Sequence, residues 1–407
     1  MAQPDRAWDF LVFGATSFVG QLLCAYLDER LTDSPCRWAI AGRDPDKLRD
    51  VQSRLRAPVG VIVADANDVA TLTAMVNQTN VVVSTVGPYA LYGSRLVEAA
   101  VKAGTDYCDL TGEPQWMQRM IDTYGDTAVS TGARVVHACG FDSIPSDLGV
   151  SFLQRSAQSR FGETCPQVSM RVKALKGGVS GGTIASMLNL IEEAAQDGDA
   201  RRLLANPYAL APVGMREGVA QPNVLAPVHD EASASWVAPF VMATVNTRIV
   251  HRTHALRGRP WGEDFLYDEA TITGSGAAGL ARASALAGGV GGFAAVSSLG
   301  PLRRLLERHV LPKPGDGPTP QVQHDGFFDL RFYGTTAGGE RITAKVSGDR
   351  DPGYGSTAKM LGEATLCLAM ADPAELPGGF WTPATAFGSA LTGRLVEHAG
   401  MQFSILD

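Results

Sequence analysis

The first 140 residues alternate short apolar runs with amphipathic ones. Strands are predicted at Phe10–Phe13, Trp38–Ala41, Val59–Ala64, Val81–Val86, Tyr107–Leu110 and Arg134–Ala138. Between them lie helices with readable ends. Asp44 caps one with Pro45 at its first position, and Leu48, Val51 and Leu55 form its inward stripe. Asp68 caps the next, with Leu72, Met75 and Val76 facing in. A third, carrying Leu96, Val97, Ala100 and Val101, stops at Gly104. Uninterrupted apolar strands such as Val81-Val82-Val83 imply burial on both faces, hence a doubly wound parallel sheet covered by helices.

Beyond Cys139-Gly140-Phe141-Asp142 the pattern changes. Helices are predicted over Ser146–Arg160 and Thr183–Gln196, and strands over Val168–Leu175, Val241–His254, Phe265–Thr273, Phe327–Gly334 and Arg341–Ser347. Gly338-Gly339 suits a hairpin turn between the last two. Strands in succession imply a second, mixed-sheet α+β lobe. Residues 312–320 are a loop by composition. Segment 274–300 has Arg282 as its one charged residue. Its glycines, Gly288, Gly289, Gly291 and Gly292, disfavour a membrane-spanning helix. An apolar loop over a substrate tunnel, a lipid-touching surface and a packed helical hairpin all remain open. The basic amphipathic stretch Arg303–His309 suits peripheral attachment to an anionic surface.

The chain has 407 residues, 45% of them hydrophobic and 19% charged, with a formal net charge of −7. This length implies two or three lobes. The acidic balance argues against nucleic acid as a partner. Six scattered cysteines without a Cys-x-x-Cys pair fit reduced thiols and a cytoplasmic setting, and Asp5, Arg6 and Asp9 near the start do not suit a secretory signal.

Gly14-Ala15-Thr16-Ser17-Phe18-Val19-Gly20 joins the first strand to the first helix. A strand, a glycine turn and a helix in that order form a cradle for a dinucleotide pyrophosphate. Gly14 permits the tight turn and Gly20 the close packing of the helix. Ser17 stands where such loops often carry a glycine, and its hydroxyl is placed to bond a phosphate oxygen. Arg43 follows the second strand, where an acidic residue would select the free ribose hydroxyl of NAD. A guanidinium there favours the 2′-phosphate of NADP(H), unless it merely starts a helix in solvent. Asp65 is placed to meet the adenine edge, whereas Asp68 is a cap. Thr85, Val86, Gly87 and Pro88 end the fourth strand where the nicotinamide ribose would pass.

Proton donors near that site include Tyr89, Tyr92, Asp109, Glu113, His137, Cys139 and Asp142, with Tyr89 and Asp142 the catalytic candidates. For Tyr89, plain packing is the alternative. No Tyr-x-x-x-Lys occurs, so the Ser–Tyr–Lys machinery of short-chain dehydrogenases is absent. His251 and His254, on an expected strand, would face opposite ways and chelate no metal together. Ser180-Gly181-Gly182-Thr183 and Gly353-Tyr354-Gly355-Ser356-Thr357 each precede a helix and are either anion sites or plain helix starts.

Several motifs follow one another at family spacing. They are Gly14–Gly20, Ala41-Gly42-Arg43, Thr85-Val86-Gly87-Pro88-Tyr89 with Tyr92-Gly93, Tyr107–Glu113, Cys139–Asp147, Gly353–Met360 and Gly378–Ala384. Together they resemble the saccharopine dehydrogenase-like oxidoreductases and, within them, the trans-acting enoyl reductase branch. Ser17 departs from the glycine usual in that branch. The resemblance implies a Rossmann domain (1–145), a central α+β lobe (146–350) and a C-terminal helical return onto the first domain (351–407). It implies NADP(H) as cofactor and one of two activities. One is reduction of a carbon–carbon double bond in a lipidic or polyketide-type acyl substrate, either a small molecule or bound to an acyl carrier or polyketide synthase. The other is saccharopine-type imine chemistry, which would need arginines such as Arg171, Arg248, Arg252 and Arg331 to converge on carboxylates. A membrane-associated protein that binds the dinucleotide without turnover is the reading from another class.

Overall fold

The computed structural model describes residues 6–177, 181–297 and 317–406. Six strands alternate with helices in the N-terminal part: β1 (Trp8–Phe13), β2 (Trp38–Gly42), β3 (Gly60–Val63), β4 (Thr79–Ser84), β5 (Asp106–Asp109) and β6 (Arg134–Val136). Eight follow: β7 (Gln167–Lys176), β8 (Val228–Asp230), β9 (Ser235–Pro239), β10 (Leu266–Gly274), β11 (Phe327–Thr335), β12 (Arg341–Gly348), β13 (Gly379–Trp381) and β14 (Met401–Leu406).

The first sheet has the order β13-β6-β5-β4-β1-β2-β3, and every pairing is parallel. Its central strands β1, β2 and β4 carry apolar runs on both faces because helices cover both. Phe10 and Val12 pack in one core, and Leu11 and Phe13 in another across the sheet. The anticipated caps are present. Asp44 accepts from the N–H groups of Asp46 and Lys47, and Asp68 from those of Ala70 and Thr71. The second sheet runs β14-β12-β11-β7-β10-β9-β8, antiparallel except for the β7–β10 pair. The architecture is therefore α/β, with a Rossmann-like parallel sheet and a mixed one. The C-terminal part serves both sheets. Helix Thr357–Met370 packs on helix Phe18–Arg30 and β13 extends the first sheet beside β6, while β14 closes the edge of the second.

Two expectations fail. Residues 241–254, rich in β-branched side chains, form helix Ala243–Leu256 rather than a strand. Its Arg248, His251, Arg252 and His254 are all buried, so tertiary packing overrides local β preference. Segment 274–300 is not a loop over its described part: Gly276–Ser297 is one 22-residue helix, and the second arm of a hairpin would lie outside the described residues. Alanines offset its glycines, and one side packs on β9 and β10. It is long and apolar enough to cross a membrane, with 11% of its most apolar window buried. The basic stretch Arg303–His309 lies outside the described residues, as do Ser180 and most of loop 312–320.

Candidate active site

Gly14 (φ +88) makes the turn after β1, and a side chain there would meet Thr85 Oγ1 at 2.7 Å. A Cβ on Gly20 would stand 2.1 Å from the Gly14 carbonyl oxygen, so only glycine lets the helix close on the turn. Ala15 is buried beneath it. The Ser17 hydroxyl is used internally: it caps helix Phe18–Arg30 by accepting from Gly20 N at 2.9 Å and lies 2.9 Å from Thr85 Oγ1. Ser17 also borders the cavity. Thr16, half-buried, is beside Gly42. Among the described residues the Phe18 and Val19 N–H groups find no protein acceptor. Both residues line a cavity, so the positive helix end faces open space. Such a cradle fits a pyrophosphate.

Arg43 is exposed at the end of β2 and makes no ion pair or hydrogen bond among the described residues. Its neighbour Asp44 is turned into the cap of helix Pro45–Gln52. The arrangement leaves an uncompensated guanidinium where the adenosine ribose of a dinucleotide would lie, which fits a 2′-phosphate. Asp65 follows β3 with Oδ1 accepting from Asn67 N at 2.8 Å, which leaves its second oxygen for a ligand.

The turn after β4 contains a cis Gly87–Pro88 peptide. Thr85 is buried and donates to Gly14 O at 3.0 Å, and Val86 lies against Gly14. Tyr89 does not present a free phenol. Its hydroxyl donates to Ser84 O at 2.9 Å, its ring packs on Trp116, and burial pushes it well above the ordinary tyrosine range. A group so committed is a wedge under the turn, which corrects its expected role as proton donor. Glu113, fully buried, holds the same turn by accepting from Tyr89 N (2.8 Å), Ala90 N (2.9 Å) and the Ser186 hydroxyl (2.8 Å). Burial raises its carboxyl above the usual range. His137 Nδ1 pairs with Asp109 at 2.7 Å under Trp116, and burial drives the Cys139 thiol up, so neither is poised. Tyr92 is exposed outside the cavity.

Asp142 is different. It lines the cavity, accepts no hydrogen bond from the described residues, and desolvation alone lifts its carboxyl to about 7. Gly112 lies opposite, where a Cβ would be 3.3 Å from Asp142 Oδ2. The loop bearing Asp142 is bracketed by two non-glycine residues with positive φ, Ala138 (59°) and Ser143 (114°). Strain of this kind persists only where surroundings impose it. Here Phe141 N donates to Thr357 Oγ1 at 3.0 Å, and Ser143 Oγ donates to Asn246 Oδ1 at 3.0 Å. Asn246 in turn donates to Glu269 at 2.9 Å, and Tyr267 donates to the other Glu269 oxygen at 2.7 Å. Burial lifts Glu269 to about 7 as well. Sequence reasoning missed this relay because its members are scattered from position 143 to 269.

The cavity, about 1410 Å³, joins the ends of the first-sheet strands to the second lobe and is mainly apolar. Ile184, Met187 and Leu190 of helix Gly181–Gln196 and Leu286, Val290 and Phe293 of helix Gly276–Ser297 wall it. Of the four arginines expected to converge, Arg248 lines the cavity and the other three do not, so no cluster forms there. Arg171 pairs with Asp230 and Asp268, Arg331 pairs with Asp329, and Arg252 donates to main-chain oxygens away from the cavity. His251 and His254 share a helix rather than a strand, and among the described residues no group of three metal-ligating side chains forms.

Residues 10–136 match the family described as saccharopine dehydrogenase NADP binding domain. A trans-acting enoyl reductase of Mycobacterium tuberculosis is 40% identical over 409 residues, covering 97% of each chain. That of Mycobacterium ulcerans is 40% identical over 418 residues, covering 98% of this chain and 97% of the other. Among solved structures, saccharopine dehydrogenase (L-Glu forming) of Saccharomyces cerevisiae superposes with a TM-score of 0.52 at 11% identity, over 98% of this chain and 99% of the other, and so shares the fold. The chain is an NADP-dependent oxidoreductase and belongs to the saccharopine dehydrogenase-like family, in its trans-acting enoyl reductase branch.

Proposed function

We propose that the protein reduces the carbon–carbon double bond of apolar enoyl groups, presented in trans as thioesters on an acyl carrier or polyketide synthase. The observation that carries this reading is the cavity: mainly apolar, and meeting the cofactor lobe beside one unpaired carboxyl near neutrality, Asp142. A dinucleotide held by the Gly14–Gly20 turn and Arg43 would supply hydride at the β-carbon. Asp142, in its neutral form, holds the proton that the α-carbon needs, and the apolar walls keep water from competing for it. Glu113 fixes the Gly87–Tyr92 turn beside which a cofactor would lie, and the Ser143–Asn246–Glu269 relay holds the residue next to Asp142. The dispersal of Arg171, Arg252 and Arg331 into internal bonds supports an apolar substrate over a multiply charged amino acid.

The test is NADPH oxidation by purified protein with short- and long-chain enoyl thioesters and with an aldehyde–glutamate mixture. Turnover rising with acyl chain length supports the reading, and turnover of the amino-acid mixture alone overturns it. A second reading, peripheral contact with lipid, has the exposed Leu280 and the largely unburied apolar helix Gly276–Ser297 in its favour. Flotation on vesicles tests it, and protein left wholly in the dense fraction refutes it.

A further inference from the structure

Helix Ala243–Leu256 carries four buried basic side chains, and three have internal explanations. Arg252 donates to Leu210 O and Phe380 O and lies off the cavity. His254 bonds Gly262 O at 3.0 Å and stacks on Trp261. Burial pushes the His251 imidazole down to about 3, so it is neutral and carries no charge to balance. Arg248 has no such account. It is only 5% exposed yet lines the cavity. Its guanidinium donates to the carbonyl oxygens of Thr244 and Leu204, Nε finds no acceptor, and no carboxylate pairs with it among the described residues. Burial alone lowers it to about 10, with no acidic neighbour pulling it back. Arg216, which also borders the cavity, is by contrast paired with Asp122.

A buried cation without a partner anion is costly, and two carbonyl dipoles do not neutralise it. We propose that Arg248 anchors an anionic group of the substrate, a phosphate or a carboxylate, inside the cavity. The surroundings suit an oxyanion. Thr244 and Thr247 line the cavity one turn before and directly beside Arg248. The N-terminal end of the helix opens on the same space through Met242 and Ala243, adding partial positive charge. A guanidinium retains unused N–H donors in a planar fork after two are taken, the geometry that two oxygens of one anion need. The enoyl-reductase reading supplies two sources for that anion: the phosphate of a phosphopantetheine arm, or the carboxylate of a free acyl chain. The proposal rests on that reading for the carrier of the charge, but the binding itself requires no turnover.

Calorimetry on the full chain saturated with NADPH, using phosphopantetheine, neutral pantetheine and octanoate as probes, tests this. At least one anion should bind saturably, and phosphopantetheine, if it is the one, should bind about tenfold or more tightly than pantetheine. Arg248→Met should weaken the bound anion by about tenfold or more, and Arg248→Lys should recover part of that loss. NADPH affinity reports whether each variant is folded. Preference for phosphopantetheine identifies a carrier arm, and preference for octanoate a free acid. Binding of neither anion overturns the anchor, as does equal binding by folded Arg248→Met. Should Arg248→Met not fold, wild type that binds neutral pantetheine as tightly as phosphopantetheine and leaves octanoate unbound overturns it in its place. Anion binding without oxidation of NADPH by any enoyl thioester would sink the enoyl reading and leave the anchor standing.

Discussion

Replacing Asp142 by Asn keeps the shape of the side chain and removes its titration. The Asp142 carboxyl is held at about 7 by burial, against 3.8 for the ordinary group. The folded protein therefore binds this proton more tightly than the unfolded chain does. The stabilisation is complete below about pH 4 and is lost as pH rises toward 7, where the buried carboxylate forms. Roughly three pK units correspond to a ceiling of about 4 kcal/mol, and water admitted by the cavity lowers the actual figure. Asp142→Asn should flatten this part of the stability profile and exceed wild type in urea resistance above about pH 8. Glu269, also held at about 7, leaves a residual slope in the variant. Catalysis should change in the opposite sense. An amide is a poor acid, so kcat/KM should fall by roughly 10²–10⁴, and the wild-type decline of kcat/KM as pH rises through 7 should vanish. NADPH oxidation with an enoyl thioester across that range is the assay. A variant that keeps both the wild-type rate and its pH profile would refute the role of Asp142.

Arg43→Ala should cut the preference for NADPH over NADH by about tenfold or more, since a charge-assisted pair contributes about 1.5–3 kcal/mol; selectivity by fluorescence titration that survives the change removes the assignment. Gly20→Ala puts a methyl 2.1 Å from the Gly14 carbonyl. It should cost about 1–3 kcal/mol and weaken NADPH binding, and an unaltered Tm together with unaltered affinity would contradict the packing described. Asn246→Ala strips donors and acceptors from Glu269 and Ser143. A loss of about 1–3 kcal/mol in chemical denaturation is expected, and a variant as stable as wild type would show that the relay is idle.

The first sheet was legible because its strands are apolar without interruption and its helices carry their caps in sequence, as at Asp44-Pro45 and Asp68. The cradle was legible for the same local reasons, through Gly14 and Gly20. What escaped depends on partners far along the chain. The helical state of 243–256 is stabilised by bonds from Arg252 to Leu210 and Phe380 and from Asn246 to Glu269, none visible in a local window. Short strands such as β8 and β13, three residues each, take their identity from the neighbours that pair with them. Tyr89 was misjudged because its position beside the turn is local, whereas the direction of its hydroxyl, toward Ser84 O, is set by the fold. Arg248 was one basic residue among many until its burial without a carboxylate among the described residues singled it out.

The most direct measurement uses NADPH carrying deuterium at the transferable position, an enoyl thioester on its carrier, and mass spectrometry of the released product. The account predicts a saturated acyl chain with the deuterium at the β-carbon and a solvent-derived hydrogen at the α-carbon. Recovery of the unsaturated chain unlabelled, with NADPH unconsumed, would contradict it.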